Sequence, residues 1–580
     1  MKQEIKRLLK KYKWQIIIEV FFITLSVYCL TCPAKIVGQM IDLLYNIDEN
    51  KIEIYKSIAY LGLACLGILV TRLVWKNLDF SLDLKLNKEL KDRLFVKLIK
   101  SKTEEINNIK NGEIMSYFVS DSKQVAKSLA LFITAITRLI LNFTIIMFMM
   151  TEVSNLKLTI ITLIPVVITI ILTVIIRNTV YESYKAVKKS FTELSEYVQE
   201  STDSIRTMKA FVGEKRQNKE FEEKNSLLRK NSLMVSKKQN LLDICINIGF
   251  GISYAISILY GSKLIIQGEI SIGDLVAFNG FLARLEMPVC WIPILLKKYK
   301  KFTISYERLD KMFKLKEEKI KINSKKYEEF DGNIEIKNLT YNYPGFIEQV
   351  LENVSINVKK GETLGIIGVI GSGKTTLMNL LLKLYDVEDG KIFIDGKDIN
   401  EIPIEKIRQN ICYITQDSFL FSASLKNNIN LFRDEYEDEK IKESTQKAII
   451  YDDISEMKEG IYTTIGEKGI DLSGGQKQRI VISRAFLNNS NIVIFDDTFS
   501  ALDNRTEQHV LNNIKELTKD KTCIIISNRI SDIKYCDKII VLEQGKIIER
   551  GNHDSLIEMQ GKYYEFFQNQ AHKSEVSFLE

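Results

Sequence analysis

The nine residues Gly368 to Thr376 read GVIGSGKTT, and their types and spacing point to phosphate chemistry. Gly368, Gly371 and Gly373, with Ser372 among them, let the backbone N–H groups curl round a phosphate. Lys374 brings a positive charge for the β and γ phosphates, Thr375 a hydroxyl for Mg²⁺, and Thr376 closes the motif. A second anion-binding element is written in LSGGQ, Leu472 to Gln476, where Ser473, Gly474, Gly475 and Gln476 open a helix and form an anion-binding N-terminus. A third is IVIFDD, 492–497, an apolar run that delivers Asp496 and Asp497 to a strand end, where a metal or a phosphate could sit.

These elements need an α/β scaffold, and the flanking sequence provides one. The glycine-rich loop follows the apolar strand TLGII, 363–367, and precedes the helix-patterned LMNLLLKLY, 377–385. The chain has 580 residues, 46% of them hydrophobic, an average that conceals two unlike halves. Before about residue 300 come apolar runs near the ~20 residues that cross a bilayer. Six are expected, at about Trp14 to Tyr45, Ile58 to Phe80, Ser128 to Met150, Leu158 to Ile176, Leu242 to Ile266 and Ile270 to Leu296. The expected fold class is therefore an α-helical membrane domain of six transmembrane helices, residues 1–312, a linker, 313–332, and an α/β P-loop domain, 333–580.

Charge fixes the orientation. Short connections such as TEVSNLK alternate with the long, basic, helix-patterned stretches 81–127 and 177–240, which places those stretches, the P-loop domain and both termini on the cytoplasmic side of a cell membrane. The same placement accounts for the +7 net charge and argues against nucleic acid as a partner. Cys29 and Cys32 form a C-x-x-C inside an apolar run, which reads as small buried side chains and not as a metal or redox site. The opening MKQEIKRLLKKYKW reads as an interfacial amphipathic helix feeding the first span. Glu19, Arg72, Arg138, Asp243, Arg284 and Glu286 fall within or near the spans, where a lipid-facing charge costs at least ~2.5 kcal/mol, so each is expected to face water or a partner. Arg284 and Glu286 precede Pro288, which is expected to kink the last span, and they are expected to line a cavity.

Taken in order, GVIGSGKTT, LSGGQ and IVIFDD after six spans resemble the ATP-binding cassette (ABC) transporter family, in its exporter-type half-transporter form. The resemblance covers nearly the whole chain and implies ATP and Mg²⁺ as cofactors. It implies that Tyr343 stacks on adenine and that Gln416 touches Mg²⁺ and the attacking water. It further implies that Asp496 holds Mg²⁺, that SALD, Ser500 to Asp503, is exchanged between two cassettes, and that Glu467 lies in a loop sensing the membrane domain. NGEIMSYFVSD, 111–121, and ESTDSIRTMKAF, 200–211, resemble the two loops that dock on the cassettes. In such a family each ATP lies between one chain's glycine-rich loop and the other chain's LSGGQ, so a second half-transporter is implied as partner, along with the lipid bilayer and a small-molecule or peptide substrate.

Two positions depart from that pattern. Where a glutamate would act as general base this chain has Asp497, which draws the carboxylate back by ~1.5 Å from a proton it must approach within ~3 Å. Where a histidine would touch the γ-phosphate it has Asn528, which donates a hydrogen bond but carries no charge. Both catalytic positions belong to the chain's own ATP site, while its LSGGQ is intact. The pattern resembles the degenerate-site subunit of a heterodimeric exporter, with slow or absent hydrolysis at its own loop. A homodimeric exporter with slow hydrolysis, an ATP-gated channel or sensor, and an importer of the same fold are the alternatives.

Overall fold

Apolar runs in hydrocarbon leave the backbone few ways to satisfy its N–H and C=O groups, and helices are the solution adopted. A computed structural model describes residues 1–318, 330–346, 348–433, 435–466 and 472–577; most of the expected linker, 319–329, and Glu467 lie outside them. The chain divides into one unit of residues 1–99 and 109–315 and a second of 100–108 and 316–580.

The first unit is helical. It opens with α1 (Lys2–Lys11), then α2 (Lys13–Leu43) and α3 (Ile47–Lys100). The short α4 (Thr103–Asn107) belongs to the second unit, and α5 (Asn111–Ser116) resumes the first. There follow α6 (Ser122–Val153), α7 (Leu156–Asp203), the short α8 (Ile205–Ala210), α9 (Glu214–Ile266) and α10 (Ile272–Phe313). Among the described residues five segments are long and apolar enough to cross a membrane, and the sixth expected span lies in α10. Leu63, Leu66, Ile171 and Leu259 are each more than half exposed, a surface that suits lipid and not water. With 54, 48 and 53 residues, α3, α7 and α9 run well past the ~20 that a bilayer needs, as their long charged segments predict.

Small residues let α2 and α10 approach closely. A Cβ on Gly38 of α2 would stand 2.4 Å from the Gly273 carbonyl oxygen of α10. One turn on, the Asp42 carboxylate accepts from the Gly273 N–H at 2.8 Å and from the Ser271 hydroxyl at 2.6 Å, and so caps α10 from outside. NGEIMSYFVSD, expected to dock on the cassette, is α5 and a π-helical turn, Tyr117–Asp121, in the first unit. Asp121 is held there by Ser305 at 2.8 Å and Arg308 at 3.2 Å. The stretch that joins the second unit is the one just before it. Lys102 pairs with Asp386 at 2.5 Å, and the Asn107 amide donates to the Tyr385 hydroxyl at 2.9 Å.

The second unit is α/β. A four-stranded antiparallel sheet runs in the order β2-β1-β4-β5. Its strands are β1 (Ile334–Tyr341), β2 (Leu351–Val358), β4 (Ile392–Ile394) and β5 (Lys397–Asp398). A six-stranded sheet runs β10-β9-β3-β8-β7-β6, parallel except at β10. It is built from β3 (Thr363–Ile367), β6 (Ile411–Ile414), β7 (Ile492–Asp496), β8 (Thr522–Ile526), β9 (Lys538–Glu543) and β10 (Lys546–Gly551). Both faces of its central strands are buried, which explains why IVIF and CIII are continuous apolar runs without alternation. Ligands of open parallel sheets gather at the carboxyl ends of the strands, and that is where β3, β7 and β8 release the chain into the candidate site.

Candidate functional site

The glycine-rich loop joins β3 to α11 (Lys374–Leu381). Gly373 caps that helix with φ +102, a conformation L side chains rarely adopt, and a Cβ there would meet Leu351 at 2.7 Å. Gly371, at φ +84, makes the preceding bend, so the loop curls as the motif requires. Gly368 packs so closely on β9 that a Cβ would stand 2.1 Å from the Leu542 carbonyl oxygen. The Lys374 ammonium donates to the Gly368 and Val369 carbonyls at 2.7 and 3.0 Å. Burial pushes its pKa down, while Asp496 and Asp497 oppose that shift. Among the described residues the buried Ser372 hydroxyl has no hydrogen-bond partner, which leaves a polar atom for a ligand to satisfy.

Asp496 ends β7 at 2% exposure. Burial raises its pKa, and hydrogen bonds from Tyr413 and Thr375 with the nearby Lys374 charge draw it back. Tyr413 donates at 2.8 Å and so fixes the carboxylate. Asp496 and Thr375 thus stand together as hard oxygen donors, a set that fits Mg²⁺, which favours one or two carboxylates completed by phosphate oxygens and water. Gln416 is placed one step away: its amide donates to Asp497 Oδ2 at 3.2 Å. Tyr343 is within the same neighbourhood, its hydroxyl 3.0 Å from Thr376 Oγ1 and its ring edge-on to Tyr341 and Tyr385.

The two departing residues are held unlike each other. Asp497 adopts φ +47, and its N–H donates to the Ile526 carbonyl at 2.8 Å, tying the end of β7 to that of β8. Aspartate tolerates this left-handed conformation better than most residues. Asn528 follows β8; its carbonyl accepts from Gln570 at 2.8 Å, and its Oδ1 is buried without a partner. The cation beside it is drawn off elsewhere. Arg529 pairs with Glu507 at 2.6 Å and donates to Asn504 at 3.3 Å, so it does not stand in for the missing histidine. His553, the histidine nearest in sequence to that strand's far side, is 2.9 Å from the Tyr563 hydroxyl.

LSGGQ is a separate construction. Ser473 caps the helix Gly474–Leu487 in a reciprocal box with Gln476. Gln476 also reaches Asp453 at 2.8 Å. Two residues on, Gln478 donates to Ser500 at 3.1 Å and accepts from the Ala501 N–H at 2.9 Å, which clasps the helix to SALD. Among the described residues no hydrogen bond joins Ser473 to Gln476 with the glycine-rich loop. Sequence reasoning missed Tyr413, Gln478 and the α4 contact. Tyr413 had a faint signal, an aromatic with a hydroxyl in a strand otherwise apolar, three residues before Gln416.

Comparison with known proteins agrees with this geometry. The model of the ABC transporter transmembrane region matches residues 16–289, and that of the ABC transporter matches residues 351–500. The multidrug resistance-like ATP-binding protein MdlA of Buchnera aphidicola subsp. Baizongia pistaciae is 30% identical, over 96% of this chain and 98% of its own. MdlA of Escherichia coli K12 is 30% identical over 93% and 91%. The probable multidrug resistance transporter YheI of Bacillus subtilis is 28% identical over 93% and 92%. A bacterial Atm1-family ABC exporter solved with ATP bound superposes with a TM-score of 0.80, at 23% identity over 97% of this chain and 98% of that one, which establishes the same fold.

Proposed function

Since the chain belongs to the ABC transporter family, we propose that it is the degenerate-site half of a heterodimeric exporter. It is an ABC-type ATPase coupled to transport, with a multi-pass membrane domain and a cytoplasmic ATPase domain. In the proposed arrangement both termini are cytoplasmic, and the substrate is a hydrophobic or amphipathic compound or a peptide, in keeping with the multidrug names of its relatives. Its boundaries are 1–312 and 333–580 around a linker.

The observation that carries the proposal is an asymmetry. The two departures from the family pattern, Asp497 and Asn528, follow strands β7 and β8, whereas Ser473 and Gln476 keep a complete capping box. On this reading Gly368 to Thr376, with Tyr343, hold ATP, and Thr375, Asp496 and Gln416 hold Mg²⁺. Mg²⁺ draws charge from the phosphate oxygens when bound. Lys374 leaves its two loop carbonyls for the phosphates, Ser372 gains a partner for its buried hydroxyl, and Asp497, short by one methylene, orients water poorly. Ser473 serves the site on the partner, which carries the glutamate and the histidine. ATP binding closes the two cassettes, and turnover at the partner's loop reopens them.

The composition of the complex tests this. Tagged in its host and purified in mild detergent, the chain should bring down an equimolar second half-transporter. Recovery of this chain alone as a dimer would replace the proposal with a homodimer that runs its whole cycle on Asp497.

A further inference from the structure

The membrane unit contains a cavity of about 210 Å³ between α2, α6 and α10, lined among others by Leu30, Arg138, Asn142, Arg284, Met287 and Trp291. Two guanidiniums share it. Arg138 and Arg284 come from the middle of the third and sixth apolar spans, where a permanent charge that cannot lose its proton demands compensation. Two other arginines of this unit have it: Arg93 pairs with Glu4 and Glu89, and Arg308 with Asp121. Among the described residues, Arg138 and Arg284 have no carboxylate and no hydrogen-bond acceptor.

What Arg138 does have is aromatic. Its guanidinium lies 5.1 Å from the Trp75 ring and 5.6 Å from the Trp291 ring, contacts that steady a cation but accept none of its N–H bonds. Glu286, expected from the sequence to line the cavity, is absent from its wall and stands near Tyr254 of α9. Pro288 is in the wall, and it lacks the N–H that would close on the Arg284 carbonyl. The cavity therefore presents two cations, the Trp291 indole and aliphatic side chains, with no anion of its own among the described residues.

We infer that this cavity takes an organic anion with an aromatic or otherwise apolar body, its carboxylate, sulfonate or phosphate held by Arg138 and Arg284 and its body laid against Trp291, Leu30 and Met287. The inference rests on the transport reading above and narrows its substrate. At about 210 Å³ the cavity is smaller than the ~300–1,000 Å³ of drug-sized pockets, so it takes the charged end and the adjoining part of the apolar body, and a larger molecule extends beyond it.

A matched pair of probes tests it: 1-anilinonaphthalene-8-sulfonate, and N-phenyl-1-naphthylamine, which has the same rings without the sulfonate. With the purified complex in lipid nanodiscs, the sulfonate should change the ATPase rate at a concentration at least tenfold below that of the neutral probe. Arg138→Gln with Arg284→Gln should raise the half-saturating sulfonate concentration at least tenfold and leave the neutral response in place. If that pair fails to assemble, Arg138→Lys with Arg284→Lys, which keeps the charge but not the fork, should retain the preference for the sulfonate. Equal potency of the two probes, or an unchanged sulfonate response in the glutamine pair, overturns the inference. Inside-out vesicles separate it from the exporter reading. Sulfonate-selective binding with no ATP-dependent accumulation keeps the anion site and overturns export, whereas ATP-dependent accumulation of the neutral probe alone keeps export and overturns the anion site.

Discussion

The two edges of the cassette proposed to bind phosphate are built on different principles. At LSGGQ the anion site is backbone: a helix N-terminus, a serine cap and two glycines, braced by Gln476 on Asp453 and Gln478 on SALD. At the glycine-rich loop, backbone geometry is proposed to do the holding, while the proposed chemistry depends on single side chains at or just beyond strand ends, Asp496, Asp497 and Asn528. The holding parts are complete on both edges, and the departures fall only on the groups that would move a proton or meet the γ-phosphate. On the proposed reading, binding and turnover are separable because they rest on different atoms.

The sharpest way to break that contrast is to restore the missing groups. Asp497→Glu with Asn528→His should raise hydrolysis at this chain's own site by ~10²-fold or more, the scale of general-base catalysis. It would be read as single-turnover ATP cleavage in a complex whose partner has lost its own loop lysine. Glutamate accepts φ +47 less readily than aspartate, so some of the gain is spent on strain at that residue. A rate that stays at background would mean that the loop edge lacks more than two side chains.

A second pair of variants should act on opposite edges. Lys374→Ala removes charge-assisted bonds of ~1.5–3 kcal/mol each, so nucleotide retained by this chain should fall roughly 10- to 100-fold, by photolabelling, with a smaller loss of total ATPase. Ser473→Ala should do the reverse, with labelling of this chain kept and total turnover reduced by about tenfold. Identical effects from the two variants would erase the distinction between the edges.

How much of this was legible follows the same division. The glycine-rich loop, LSGGQ and Asp496 are read directly because local chain geometry dictates their residue types. Six apolar runs dictate six long helices for the same reason. The contacts that position the site are not local, so the sequence left them unstated. Tyr413 reaches Asp496 across 83 positions, and Lys102 reaches Asp386 across 284. That residues 100–108 belong with the second unit was not legible, because helix patterning runs unbroken from 81 and hides where the chain changes unit. Glu286 was assigned to the cavity with Arg284 on proximity in sequence, but two positions along a helix turn a side chain by ~200°, which carries it to another face.

The smallest effect concerns the support behind Asn528. Glu507, on the helix Asn504–Leu517 that follows SALD, is buried at 2% exposure, and burial, with the Asp532 charge adding to it, raises its pKa to about 7 against the opposing pull of Arg529. An unfolded glutamate titrates near ~4.3. Between those values the folded chain keeps a proton that the unfolded chain has released, so Glu507's contribution is fullest below the unfolded pKa and is lost as pH rises through about 7. Glu507→Gln removes this titration. The melting temperature of the variant relative to the parent should therefore rise between pH 5.5 and 7.5, by ~2–4 °C if about 1 kcal/mol is at stake. Loss of the Arg529 pair offsets the whole curve but not its slope, so the slope carries the test. Parallel curves would mean that Glu507 is ionised throughout and that its ion pair with Arg529 outweighs its burial.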